Sequence, residues 1–275
     1  MTQNIKNLSK KEFQLLSFLS SKGKNIFTFK EAVEFLKLKE PYSRKFIHNL
    51  ARKGWLKQIE KGKYLIVPLE AGLEGYWSEE AFIVASNLIY PYVISYWTAL
   101  SYYGYTEQIT RTIFVATTKR KFKSKIEIFG VPYKFITLKK HKFFGINKVW
   151  IGGKKVNITD REKTIIDCFD HPEYCGGIVE VAKGLSNAFE EGIDLEKITD
   201  YAMQMRNKTI FKRLGYLVEV LNLPVQEKYI DKWKKNVSKG YSLLFPAAGR
   251  KGKHNSKWNL KINIAENELT SFRRY

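Results

Sequence analysis

A stripe at helical spacing runs over residues 8–19, with Phe13, Leu16, and Leu19 or Ser20 on it. Ser9 with Glu12 three residues on is a capping box, which predicts the start of a first helix. The stretch Lys22-Gly23-Lys24-Asn25 ends it. Thr28 with Glu31 repeats the box and opens a second helix, whose apolar positions are Ala32, Val33, Phe35 and Leu36. Pro41 suits the first turn of a third helix, where its missing N–H costs nothing. Phe46, Ile47, Leu50 and Ala51 give that helix one apolar face, and Gly54 stops it. Two short apolar runs, 55–59 and 63–67, then flank Lys61-Gly62 as a hairpin. Three helices and a hairpin predict a winged helix-turn-helix over residues 1–69, with the third helix entering a major groove.

Beyond it the pattern changes twice. Residues 68–77, with Gly72 and Gly75, read as a junction, and 81–88 as an apolar helix. Ser95 caps a second helix over 96–103, closed by Gly104. Its aromatics Tyr96, Trp97, Tyr102 and Tyr103 fit core packing better than base stacking, because such rings bury large areas. From Thr112 the period is two, and strands are expected at 112–117, 125–129, 133–138, 148–151 and 154–158. Helical patterns return at Asp160, after Gly176-Gly177, after Asp194, over 208–221 and over 226–237; a strand over 258–264 closes the chain. The fold class is therefore α+β: an N-terminal winged helix-turn-helix, then a larger mixed α/β domain over 70–275.

Charge sharpens this picture. The 275 residues hold 48 Lys and Arg against 27 Asp and Glu, a net charge of +21, which favours a polyanionic partner and nucleic acid first. Residues 161–200 run the other way, with 4 basic and 10 acidic residues, as a solvated helical face or a contact surface would. Opposite its apolar face, the third helix carries Ser43, Arg44, Lys45, His48, Asn49 and Arg52. These donors suit phosphates and base edges, and Tyr42 and Lys53 flank them. Lys57, Lys61 and Lys63 place the wing on a DNA backbone. Two further basic segments are candidate phosphate contacts. One is Lys119, Arg120, Lys121 and Lys123, with Phe122 among them; the other is Arg250, Lys251 and Lys253 in a glycine-rich loop.

Catalytic chemistry finds little support. Asp167 sits among apolar residues with no second acid or histidine in clear relation to it, and reads as a satisfied structural carboxylate. Cys168, His171 and Cys175 lack the fourth ligand a structural zinc site takes, so no metal is assigned. There is no Walker loop, dinucleotide fingerprint or Ser/His/Asp order, and no cofactor is expected. Two cysteines do not make a disulfide framework, no signal peptide is evident, and no apolar run approaches the roughly 20 residues of a membrane helix; a cytoplasmic, membrane-free protein is expected.

Several stretches, in their order and spacing, resemble the AbiEi-type antitoxins of type IV (abortive-infection) toxin–antitoxin systems. They are Gly62-Lys63-Tyr64-Leu65-Ile66-Val67-Pro68-Leu69-Glu70, Tyr92-Val93-Ile94-Ser95-Tyr96-Trp97-Thr98-Ala99-Leu100, Arg111-Thr112-Ile113-Phe114-Val115-Ala116-Thr117, residues 104–108 and 159–167, and Arg213-Leu214-Gly215-Tyr216-Leu217. One departure is Pro246-Ala247-Ala248-Gly249, where relatives tend to a more polar turn. The resemblance implies a winged helix that represses its own operon at inverted repeats in double-stranded promoter DNA. It also implies a C-terminal domain that counteracts a nucleotidyltransferase-like toxin without a tight complex, partly through basic residues. Two alternatives stay open: a regulator whose second domain senses a ligand or partner, with no toxin, and a nuclease using the acids of 161–200.

Overall fold

In a computed structural model, residues 7–67, 81–128 and 130–273 are described. The chain divides into two compact units, residues 1–88 with 127–130, and residues 89–126 with 131–275. The expected boundary at residues 69 and 70 lies outside the described residues.

The N-terminal unit opens with α1 (Lys10–Ser21), β1 (Ile26–Thr28), α2 (Phe29–Leu36) and α3 (Glu40–Arg52), followed by β2 (Leu56–Glu60) and β3 (Lys63–Ile66). Both capping boxes form: Ser9 Oγ accepts from the Glu12 N–H while the Glu12 carboxylate accepts from the Ser9 N–H at 2.7 Å, and Thr28 and Glu31 repeat the arrangement. Gly54, at φ +78°, ends α3 in the left-handed region that glycine enters freely. The sheet order is β1-β3-β2, so the hairpin gains a third strand that the sequence pattern did not show. Ile26 pairs with Leu65 and Thr28 with Lys63. The core gathers Leu15, Leu19, Phe27, Leu36, Ile47 and Leu50. This is a winged helix-turn-helix, as predicted. The unit continues with α4 (Ala81–Leu88).

Next in the chain come β4 (Val93–Ile94) and α5 (Tyr96–Tyr102), then β5 (Ile113–Thr117), β6 (Lys125–Ile128), β7 (Val131–Thr137), β8 (Ile146–Ile151) and β9 (Lys154–Thr159). Their sheet has the order β6-β7-β5-β4-β9-β8. β5 runs parallel to β7 and antiparallel to β4; β4 runs parallel to β9, and β9 pairs back on β8. Five helices follow: α6 (Arg161–Asp170), α7 (Ile178–Glu190), α8 (Leu195–Gln204), α9 (Thr209–Val220) and α10 (Glu227–Lys235). A small sheet of β10 (Ser242–Leu243), β11 (Lys253–Asn255) and β12 (Leu260–Ile262), in the order β10-β12-β11, and a last turn of helix, α11 (Glu266–Leu269), complete the larger unit. Asp160 caps α6 by accepting from the Lys163 N–H at 2.8 Å, and Asp194 caps α8 from two N–H groups. The core is aromatic and aliphatic: Tyr96, Phe169, Leu185, Leu214, Trp233 and Trp258 are all fully buried. Tyr96 is thus core, as its type predicts, whereas Tyr102 keeps 40% of its surface in water. Among the described residues no helix is long and apolar enough to cross a membrane.

Candidate nucleic-acid interface

The register of α3 sorts its side chains. Ile47 and Leu50 are buried in the core, with Phe46 and Ala51 packed beside them. Tyr42, Arg44, Lys45, His48 and Arg52 are exposed, and Asn49 is half-buried. Arg44 leans on α3 and α2: its guanidinium lies 3.7 Å from the Glu40 carboxylate and 5.0 Å from the Phe29 ring centroid. At 70% and 66% exposure that ion pair is weak enough for a phosphate or base to displace it. On the wing, Lys57 and Lys61 are exposed, and Gly62 makes the tip at φ +71°.

Three of the residues expected on this face are otherwise engaged. Ser43 is fully buried, and its hydroxyl donates to the Leu38 carbonyl at 3.4 Å. Lys53 turns to α1, where its Nζ donates to both Glu12 carboxylate oxygens at 2.8 and 2.9 Å. Burial pushes the Glu12 carboxyl up, but the hydrogen bonds from Lys53 and Ser9 outweigh it and hold its pKa below the ordinary glutamate value. Lys63 donates to the Asn87 carbonyl at 2.7 Å and lies 3.7 Å from Glu60. Lys53 sits at the edge of the apolar face, where one residue of rotation decides between solvent and core; Ser43, four residues before Ile47 and seven before Leu50, lies in the middle of that face, so helical spacing itself turns it inward. Lys63 sits on β3, the central strand of the wing sheet.

In the larger unit, Lys119, Arg120 and Lys123 are exposed on the loop after β5, and Lys121 lies over the Phe135 ring at 4.3 Å. Arg250, Lys251 and Lys253 are exposed around β11; Lys251 and Lys253 line a cleft of 770 Å³ with Tyr216, His254 and Glu266.

Lys163, Lys212 and Arg213 of the unit are interior. Asp167 is fully buried, accepting from Ser95 Oγ at 2.6 Å and from Lys163 Nζ, which is itself 1% exposed. Burial pushes the Asp167 carboxyl up against the pull of Lys163. No solvent or substrate reaches this trio, so its chemistry is structural: it ties the β4–α5 turn to α6. That agrees with the structural role expected of Asp167. Arg213 donates to the carbonyls of Phe169 at 2.6 Å, Leu244 at 2.9 Å and Leu243 at 3.3 Å, and burial lowers its pKa to about 10. Beside it, Gly215 allows Trp258 to pack so close that a Cβ there would lie 2.2 Å from the indole. The His171 ring nitrogens face Glu173 at 2.8 Å and Asp170 at 3.5 Å, while Cys168 and Cys175 are buried thiols. Among the described residues no group of His, Cys, Asp or Glu is arranged to hold a metal ion.

The N-terminal unit is thus a winged helix-turn-helix with exposed cations along one side of α3, and a larger α/β unit follows it in the chain. Residues 14–67 match the family model described as "Transcriptional regulator, AbiEi antitoxin", in line with the resemblance drawn from the sequence. Among solved structures, the RV2827C protein from Mycobacterium tuberculosis is similar in fold: it is 13% identical, with a TM-score of 0.69 over 98% of this chain and 96% of that one. No curated protein matches the chain.

Proposed function

We propose that this chain is a DNA-binding antitoxin that represses its own operon through the winged helix and counteracts a nucleotidyltransferase-like toxin through the larger unit. The observation that carries the DNA half is the exposed set Tyr42, Arg44, Lys45, His48 and Arg52 on one side of α3, opposite the buried Ile47 and Leu50. With Asn49 at its margin, that face offers donors for the N7 and O6 of guanine and for adenine edges. Lys57 and Lys61 add phosphate contacts from the wing. The match over residues 14–67 supports the regulatory and antitoxin reading. On this reading the chain is a binding protein, not an enzyme, and the toxin is countered without a tight complex.

The test is binding of the full chain to its own upstream DNA and to random duplex of equal length, across a salt series. Tighter binding to the upstream DNA at every salt concentration supports the reading. Equal binding to both, with the same steep salt slope, overturns it. Co-expression with the neighbouring gene then asks whether growth arrest by that gene product is relieved, and no relief overturns the antitoxin half.

A further inference from the structure

The strand registers bring a second set of cations to one end of the large sheet. Val93 of β4 lies opposite Ala116, Thr117 of β5 opposite Thr137, Ile94 opposite Ile158, and Trp150 of β8 opposite Lys155. Following these rows outward, the start of β4, the ends of β5, β7 and β8 and the start of β9 share one end. With strands about 4.8 Å apart, the five span roughly 19 Å. The loop after β5 leaves from this end with exposed Lys119, Arg120 and Lys123; the chain after β7 leaves it with exposed Lys139 and Lys140; Lys155 stands at the β8–β9 hairpin. Across residues 118–157 the sequence places twelve lysines and arginines against one acid, Glu127. None of the six cations just named has an ion-pair partner among the described residues.

Three aromatic rings stand at the same end in water. Phe122 is 100% exposed, in the loop between Lys121 and Lys123; Tyr90, just before β4, is 75% exposed; Trp150 is 68% exposed with Lys155 Nζ 5.1 Å from its ring centroid. A duplex keeps its bases stacked and would leave those rings unused, whereas unpaired bases stack on them and their phosphates meet the lysines.

We propose that this end of the sheet binds single-stranded nucleic acid, with Phe122, Tyr90 and Trp150 as base-stacking platforms and the surrounding lysines and Arg120 on the phosphates. The surface shares no residue with the α3 face and does not rest on the operator reading.

The experiment measures fluorescence anisotropy of labelled 12-nucleotide oligo-U, 12-nucleotide oligo-dT and a 12-base-pair random duplex with the full chain, at moderate salt where non-specific duplex binding is weak. Tighter binding of the single strands than of the duplex is expected. Phe122→Ala and Trp150→Ala, which leave the charge unchanged, are expected to weaken single-strand binding by roughly 5- to 150-fold each. Phe122→Trp should restore it, and duplex binding should not move. Because both rings are exposed, unaltered thermal unfolding is expected and checks that the variants fold. Arg44→Ala should leave single-strand binding intact, which keeps this proposal distinct from the operator one. Preference for oligo-U over oligo-dT identifies RNA as the ligand, the reverse identifies DNA, and parity identifies either strand. Equal binding of strand and duplex, or aromatic variants that bind single strands as well as the parent, overturns the proposal and leaves only a general polyanion surface.

Discussion

On the proposed reading, Arg44 and Lys61 stand for two ways in which a cation acts on DNA. Arg44 projects from α3, where a bidentate contact to a guanine edge is worth about 1–3 kcal/mol of discrimination. Arg44→Ala is expected to weaken operator binding by about that amount and to leave random-duplex binding nearly unchanged, in a titration run on both DNAs. Lys61, at the wing tip, should lose affinity equally on both, with the salt slope reduced by about one unit. Equal losses from Arg44→Ala on both DNAs would remove it as a base reader. Asp167 is a residue of a different kind. Asp167→Ala strands the Lys163 ammonium in the core, and loss of one partner of a buried pair costs about 3–5 kcal/mol. Urea unfolding of the larger unit should show that loss. A result within 1 kcal/mol of the parent would mean that Lys163 finds another partner or water.

At the scale of elements, the two capping boxes make the winged helix sensitive to acid. Glu12 and Glu31 both titrate below the ordinary glutamate range, Glu31 chiefly through the hydrogen bond from Lys24. A carboxyl depressed in the folded state contributes stability that is present above its unfolded pKa and is lost as pH falls through its folded one. Melting temperature should therefore fall below about pH 4.5, and Glu12→Gln with Glu31→Gln should flatten that fall; an unchanged slope would exclude the boxes as its source. Gly215 sets a packing limit on α9: Gly215→Ala forces Trp258 aside and should cost about 1–3 kcal/mol in denaturant unfolding.

These same elements show what a sequence reveals. Helices with caps were legible, because Ser9, Thr28, Asp160 and Asp194 act within three residues of their partners. The strands β1 and β4, three and two residues long, were not, because they exist only by pairing with β3 and with β5 and β9. The outward face of α3 was legible from spacing, and so was the inward place of Ser43, in register with Ile47 and Leu50; the turn of Lys53 was not, because its partner Glu12 is brought to it by tertiary packing. Lys163 and Arg213 carried no sequence signal of burial, since charged residues are mostly exposed and only their partners reveal otherwise.

For the whole molecule, +21 is the governing quantity. Non-specific affinity for duplex should fall steeply with salt as counterions re-enter, while contacts to base edges are little affected. The ratio of operator to random binding is therefore expected to rise between low and physiological salt. A ratio that falls over that range would mean that the specificity itself is electrostatic.

The two-residue strand β4 has a consequence for the order in which the protein comes into being. It is held on one side by β5 and on the other by β9, and Ile94 meets its partner only at Ile158; Ser95 meets Asp167 72 residues on. The winged helix needs nothing beyond residue 67 for its three-stranded sheet. On a ribosome adding about 5–20 residues per second, the 208 residues after 67 take roughly 10–40 seconds to appear. Until residue 159 has been added, the part of the chain that we assign to DNA is whole while the centre of the larger sheet waits for β9.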